Sequence, residues 1–121
     1  MTVLVWVGVV LIGGAGSVLR FVVDGAVASR RKRDFPYGTM VINISGALVL
    51  GFLTGLALGG RASLLAGTAA VGSYTTFSTW VFETERLTEE RQPRAAAANV
   101  VVSLVLGVAA AAAGRLMGAN L

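Results

Sequence analysis

The chain has no cysteine and no histidine in its 121 residues. Without cysteine there is no disulfide, no thiolate nucleophile and no thiolate metal ligand, and no redox compartment can be inferred. Without histidine the commonest general base and transition-metal ligand are missing. Charge is scarce as well: 13% of the residues are Asp, Glu, Lys or Arg, about half the share of a soluble domain. No acidic residue lies deep in an apolar stretch, so the embedded carboxylate of a proton-coupled antiporter is absent. Phosphate-binding loops, zinc-hydrolase motifs and an acid–base pair are also missing. An enzyme is not expected.

What is present is apolar: 55% of the residues are hydrophobic, and they fall in long blocks rather than stripes. Four blocks cover about 3–27, 37–58, 62–82 and 95–117. Each is about 20 residues, enough to cross the hydrocarbon core as a helix. Arg20 and Asp24 interrupt the first block, and Ser29-Arg-Arg-Lys-Arg-Asp34 with the breaker Phe35-Pro36 follows it. Gly59-Gly-Arg61 reads as a short turn. The charged connection 83–94 carries Pro93 near its end, where it suits a helix start. The alternating segments of about 10 residues that a membrane barrel needs are absent. The expected fold is an all-α membrane protein, a single four-helix transmembrane domain over 1–121. The first block resembles a signal peptide, with Ala15-Gly-Ser17 as a cleavage-like site, but no basic residue precedes it, and a retained first helix is expected.

The formal charge of +4 does not point to nucleic acid, because the basic residues cluster in connections between apolar blocks. With four spans both termini lie on one side, with Arg61 and Arg115. The other side carries Arg30, Arg31, Lys32, Arg33, Arg86, Arg91 and Arg94, a ratio of 7 to 2. The positive-inside rule then places the basic connections in the cytoplasm and both termini outside.

The third block contains Gly72-Ser-Tyr-Thr-Thr-Phe-Ser-Thr-Trp80, in which six of nine residues carry a hydroxyl. Each polar group left unsatisfied in lipid costs free energy, so this run must face protein, water or an ion. Glycine and β-branched threonine weaken a helix, and the run lies about 14 Å along a helix from Glu83, which puts it near the bilayer middle. A helix broken there is tolerated where it is buried or lines a polar cavity, and its freed carbonyls suit a small hard cation such as Na⁺. Phe77 and Trp80 share a face. The bland alternative is a Ser/Thr helix that satisfies its own backbone.

Other polar positions are sparser. Asn43, with Thr39 one turn earlier, is either an interhelical hydrogen bond or an amide donor facing a pore. Gly51, Gly55 and Gly59 form a small-residue ridge that reads as helix packing. Asn99, Ser103 and Gly107 make a polar stripe, either a pore wall or a helix seam. Arg20 and Asp24, four residues apart, are placed to pair. Arg20 is also a candidate fixed charge attracting an anion to the mouth of a pathway, or a side chain snorkelling at a helix end.

Together these residues resemble the Fluc/CrcB family of fluoride channels. The resemblance rests on Gly13-Gly-Ala-Gly-Ser-Val-Leu-Arg20-Phe21, on Gly38-Thr-Met-Val-Ile-Asn43-Ile-Ser-Gly46 and on Gly72-Ser-Tyr-Thr-Thr-Phe-Ser-Thr79, and it covers nearly the whole chain. It implies an antiparallel dimer with two fluoride pores and a structural, untransported Na⁺ at the dimer centre, held by the backbone carbonyls of Gly72 and Thr75 of both subunits. It also implies that Asn43 donates to fluoride and Phe77 turns its positive ring edge to the anion. Ser78, Thr79 and Ser103 would extend a polar track, with Trp80 and Arg20 along the pathway. The chain departs from the family at Trp80, where a second Phe is usual, and at Asn99, where Tyr is common.

The expected function is passive, fluoride-selective export across the plasma membrane of a prokaryote by a multi-pass protein. Alternatives are a small coupled transporter and a non-conducting membrane scaffold. The 7 to 2 charge bias favours one orientation. That raises the expectation of a heterodimer with a homologous chain of opposite orientation, beside the dual-topology homodimer that the family implies.

Overall fold

The computed structural model describes residues 2–30 and 35–121, with 28–30 described by their backbone alone. Positions 31–34, which carry three of the four basic residues of the first connection and three of the seven on the basic side, lie outside the described residues. Among the described residues all regular structure is helical.

Helix α1 (Val3–Arg30) starts at Thr2, whose carbonyl accepts from the Val5 and Trp6 N–H groups and whose hydroxyl accepts from Val5 at 3.4 Å. These bonds satisfy donors that a helix start leaves open. Helix α2 (Tyr37–Leu56) follows Pro36 and ends where Ala57 turns left-handed, with φ 54° and its N–H on the Thr54 carbonyl. The next rod winds from α3 (Gly60–Ala62) through a π-helix, π1 (Ser63–Val71), into α4 (Gly72–Tyr74). The wide pitch shows at Gly72, whose N–H reaches back to the Gly67 carbonyl. A π turn is rare and tends to sit at functional sites. Residues 75–77 are not helical, and Thr75 is extended (φ −80°, ψ 161°). Helix α5 (Ser78–Glu89) and helix α6 (Pro93–Ala119) complete the chain.

The expected third block, 62–82, therefore falls on two helical pieces, one ending at Tyr74 and one beginning at Ser78. The charged residues beyond it, expected as a connection, continue α5 to Glu89. Arg86 bridges Glu83 at 3.8 Å and Glu90 at 3.0 Å, pairs at helical spacing that support the extra turns. Arg91, with φ 58°, then closes the helix: its N–H bonds the Thr88 carbonyl and Gln92 N–H bonds the Leu87 carbonyl. This is a Schellman stop, with Leu87 buried beneath it, and Pro93 opens α6 immediately after.

Helices α2 and α6 form the most extensive pair. A methyl group on Gly51 or Gly55 would overlap the carbonyl oxygens of Ala111 or Arg115, and one on Gly114 or Gly118 would overlap those of Leu48 or Phe52. Small residues on both helices thus let the two backbones touch, the device that packs helices in lipid. Gly59 is not part of this ridge; it precedes α3 and has open space around it. Few large side chains are fully buried, namely Ile42, Leu87 and Asn99, while Phe21 is 81% and Val10 69% exposed. Such a continuous apolar exterior suits hydrocarbon or a partner, not water. By length and composition α1 (over Val3–Val27), α2 and α6 can each cross a membrane.

Candidate functional site

The interruption at 75–77 is held by α2. Gly46 leaves no room for a side chain between α2 and the Thr75 methyl group. One turn earlier on the same helix, Asn43 and Thr76 exchange two hydrogen bonds. The Asn43 Nδ2–H donates to the Thr76 carbonyl at 2.8 Å, and the Thr76 N–H donates to Asn43 Oδ1 at 2.8 Å. In a continuous helix the Thr76 N–H would have gone to the Gly72 carbonyl. The same diversion recurs one turn on. The Thr79 N–H, which would have gone to the Thr75 carbonyl, donates to Thr76 Oγ1 at 3.2 Å. The Gly72 and Thr75 carbonyls, expected to face a cation, are thus among those that lose their helical donors at the interruption.

The hydroxyls of the run divide by partner. Ser73 bonds back to the Ala69 and Ala70 carbonyls, and Thr75 to the Val71 carbonyl at 3.0 Å. That part of the run behaves as the bland alternative supposed, satisfying its own helix. The Tyr74 hydroxyl lies 2.9 Å from that of Ser45, which itself donates to the Ile42 carbonyl. Thr76 caps α5. Ser78 and Thr79 are exposed; Ser78 Oγ meets Thr76 Oγ1 at a long 3.4 Å, and the Thr79 hydroxyl has no partner among the described residues. These two keep donors to spare.

Two grooves meet at Asn43 and Trp80. The larger, about 670 Å³, runs along α2, π1 and the interruption and includes Gly72, Thr75 and Phe77. The smaller, about 280 Å³, runs along α6 past Ser103 and Gly107. Asn43 is half-buried, and no described acceptor meets its second Nδ2–H. The Phe77 ring is 73% exposed and packs edge-to-face on Trp80, with centroids 5.7 Å apart and planes at 67°. The Trp80 indole N–H is committed to the Asn99 carbonyl at 3.1 Å. The stripe on α6 divides: Asn99 is fully buried against α5, its amide on Thr84 Oγ1 at 2.9 Å, whereas Ser103 lines the smaller groove with its Oγ buried and unpartnered.

Arg20 lines neither groove, and it forms no ion pair with Asp24. Asp24 is exposed and lies instead against the start of α2, where Gly38 leaves space for its Oδ1. Helical spacing put the two charges on one face, but the approach of α2 drew the carboxylate away. Two partnerships escaped the sequence reading. Buried Thr39 donates to Glu83 Oε1 at 2.7 Å, and Thr84 joins Asn99 to Trp80. The position of Thr39 one turn before Asn43 was the only signal of the first.

Residues 7–115 match the family model described as CrcB-like protein, Camphor Resistance (CrcB). The chain belongs to the CrcB family. A CrcB relative from Mycolicibacterium paratuberculosis, named fluoride-specific ion channel FluC 2, is 72% identical over 94% of this chain and 93% of its own length. The FluC 2 of Mycobacterium tuberculosis is 64% identical over 95% of this chain and 91% of its own. A fluoride-specific ion channel FluC 1 from Leifsonia xyli is 45% identical over 98% and 89%. Membership of the CrcB family, with helices long and apolar enough to cross a bilayer, makes this a multi-pass membrane protein.

Proposed function

We propose that this chain forms a passive, fluoride-selective channel that exports cytoplasmic fluoride and so lowers its toxicity. Fluoride enters cells as neutral HF and dissociates inside, and a channel for the trapped anion relieves it without an energy-coupling device. The observation that carries this reading is the junction of the two grooves. Asn43, with a spare N–H, lines both grooves, while the Phe77 ring lines the larger and Ser103 the smaller. Amide and hydroxyl donors replace an anion's water shell, and an aromatic edge is electropositive. The names of relatives up to 72% identical support the same ion.

The larger groove is open in a single chain, and an antiparallel partner would cover it. The interruption at 75–77 would then sit near the bilayer midplane at the dimer centre. The Gly72 and Thr75 carbonyls of both subunits would hold a structural Na⁺ there, whose charge offsets the converging carbonyl dipoles. The donor set is chemically apt: hard oxygen atoms relieved of helical hydrogen bonds. Ser78, Thr79 and Trp80 extend the anion path, with Arg20 drawing anions toward its mouth. The termini lie outside by the Lys/Arg bias. The same bias and the two numbered names among the relatives, FluC 1 and FluC 2, support a heterodimer with a homologous chain of opposite orientation.

Reconstitution into liposomes tests the channel. Fluoride efflux is expected only when valinomycin and K⁺ supply a charge shunt. Efflux that needs no shunt would replace the channel with a coupled transporter. No flux beside a conducting control, alone or with a homologous partner chain, would leave a scaffold.

A further inference from the structure

Trp80, Thr84 and Asn99 close a ring of hydrogen bonds between α5 and α6. The Trp80 indole N–H donates to the Asn99 carbonyl at 3.1 Å. The Asn99 amide donates to Thr84 Oγ1 at 2.9 Å, and the Thr84 hydroxyl donates to the Trp80 carbonyl at 2.9 Å. The hydroxyl has one hydrogen and spends it on the Trp80 carbonyl. The group facing it from Asn99 must therefore be the amide nitrogen, not the oxygen. Asn99 Oδ1 is left buried without a partner. An orphaned acceptor repels an anion, so Asn99 is unsuited to be a rung of the anion path. Ser103, one turn on, carries a hydroxyl that can donate.

The ring also fixes what Trp80 offers. An indole N–H aimed into the groove would add a further fixed donor to the path. Conduction requires binding weak enough to release the ion, so such a donor would hold it back. Here that N–H is turned to α6 backbone, and the indole meets the Phe77 ring edge-to-face. We propose that Asn99 is a positioning residue. Through Thr84 it locks α5 to α6 in the register that keeps the Trp80 N–H on the Asn99 carbonyl and out of the groove shared with Asn43 and Ser103. The two departures from the family pattern, Trp80 and Asn99, then form one matched pair. This inference rests on the fluoride-channel reading.

The test is a double-mutant cycle on the full chain in liposomes, with Asn99→Leu measured in the Trp80 and Trp80→Phe backgrounds. Asn99→Leu is expected to lower fluoride efflux about ten-fold when Trp80 is present and less than about two-fold further when Phe replaces it. The same factor in both backgrounds would overturn the proposal. An independent readout uses the Trp6→Phe background, where Trp80 is the only indole. There Asn99→Leu should shift the emission and raise acrylamide quenching, and unchanged emission and quenching would also overturn it. Thr84→Val keeps the shape, removes the bridging hydroxyl and carries the same two measurements if Asn99→Leu fails to fold. A parent chain without fluoride flux, both alone and with a homologous partner chain, would refute the channel reading while the fluorescence still decides the lock. A conducting parent with an additive cycle would refute the lock alone.

Discussion

Asn43 and Thr76 lie 33 residues apart in sequence and hold each other by two hydrogen bonds of 2.8 Å. One asparagine amide does the work of a missing helical turn, accepting the N–H and donating to the carbonyl that the interruption leaves open. It still has a second N–H for the groove. The residue that stabilises the break is thus also the residue with a donor beside it.

Asn43→Ala should therefore abolish fluoride efflux. Loss of two hydrogen bonds at a half-buried site costs about 1–3 kcal/mol in sum, and the break then has no fixed geometry. Liposome efflux measures this, with size-exclusion chromatography to show that the assembly persists. Normal efflux in the variant would remove Asn43 from the pathway.

Phe77→Ile separates pathway from packing. The ring is 73% exposed in the chain, so its replacement should cost the fold little. A drop in fluoride efflux of at least about a hundred-fold with an unchanged melting temperature is expected if its edge serves the anion. Equal efflux would assign the ring to packing.

Thr76→Val tests the cation site without touching a carbonyl. Removing Oγ1 takes away the acceptor of the Thr79 N–H and so loosens the start of α5 beside the Thr75 carbonyl. Thermal stability in detergent should rise with Na⁺ concentration for the parent chain, because an ion bound only by the folded assembly stabilises it. The midpoint of that dependence should move at least about ten-fold higher in the variant. Stability indifferent to Na⁺ in the parent would count against the site.

Glycine contacts give a prediction with an internal control. Gly51→Ala and Gly114→Ala each push a methyl group into a backbone carbonyl of the facing helix and should destabilise the chain by about 1–3 kcal/mol. Gly59→Ala meets open space and should change the melting temperature little. Similar losses at all three positions would contradict the α2–α6 packing.

Orientation can be read with single cysteines, since the chain has none of its own. A cysteine near either terminus should label from the outside only. Equal labelling from both faces when the chain is expressed alone would instead favour a dual-topology homodimer.

Much was legible from local pattern. Block length and the scarcity of charge are properties of consecutive residues, and they sufficed for membrane-spanning helices. The density of hydroxyls in residues 72–80 likewise marked where a helix could not continue at ease, because propensity and desolvation act on each residue where it stands. Pro93 marked the start of α6 for the same reason. The allocation of partners was not local. Ser73 and Thr75 carry the same chemical group as Ser78 and Thr79, yet the first pair spends its hydroxyls on its own helix and the second keeps them. That difference arises because Ser73 and Thr75 still reach carbonyls of the helix that ends at Tyr74, whereas Ser78 and Thr79 open the next helical piece. Arg20 and Asp24 had helical spacing in their favour and still did not pair, because α2 packs against the carboxylate. The family resemblance set Trp80 along the anion pathway, but α6 takes its indole N–H with a backbone carbonyl 19 residues away in sequence. A hydrogen bond goes to whichever acceptor packing brings within about 3 Å. Residue identity limits the possible partners, and the approach of the helices chooses among them.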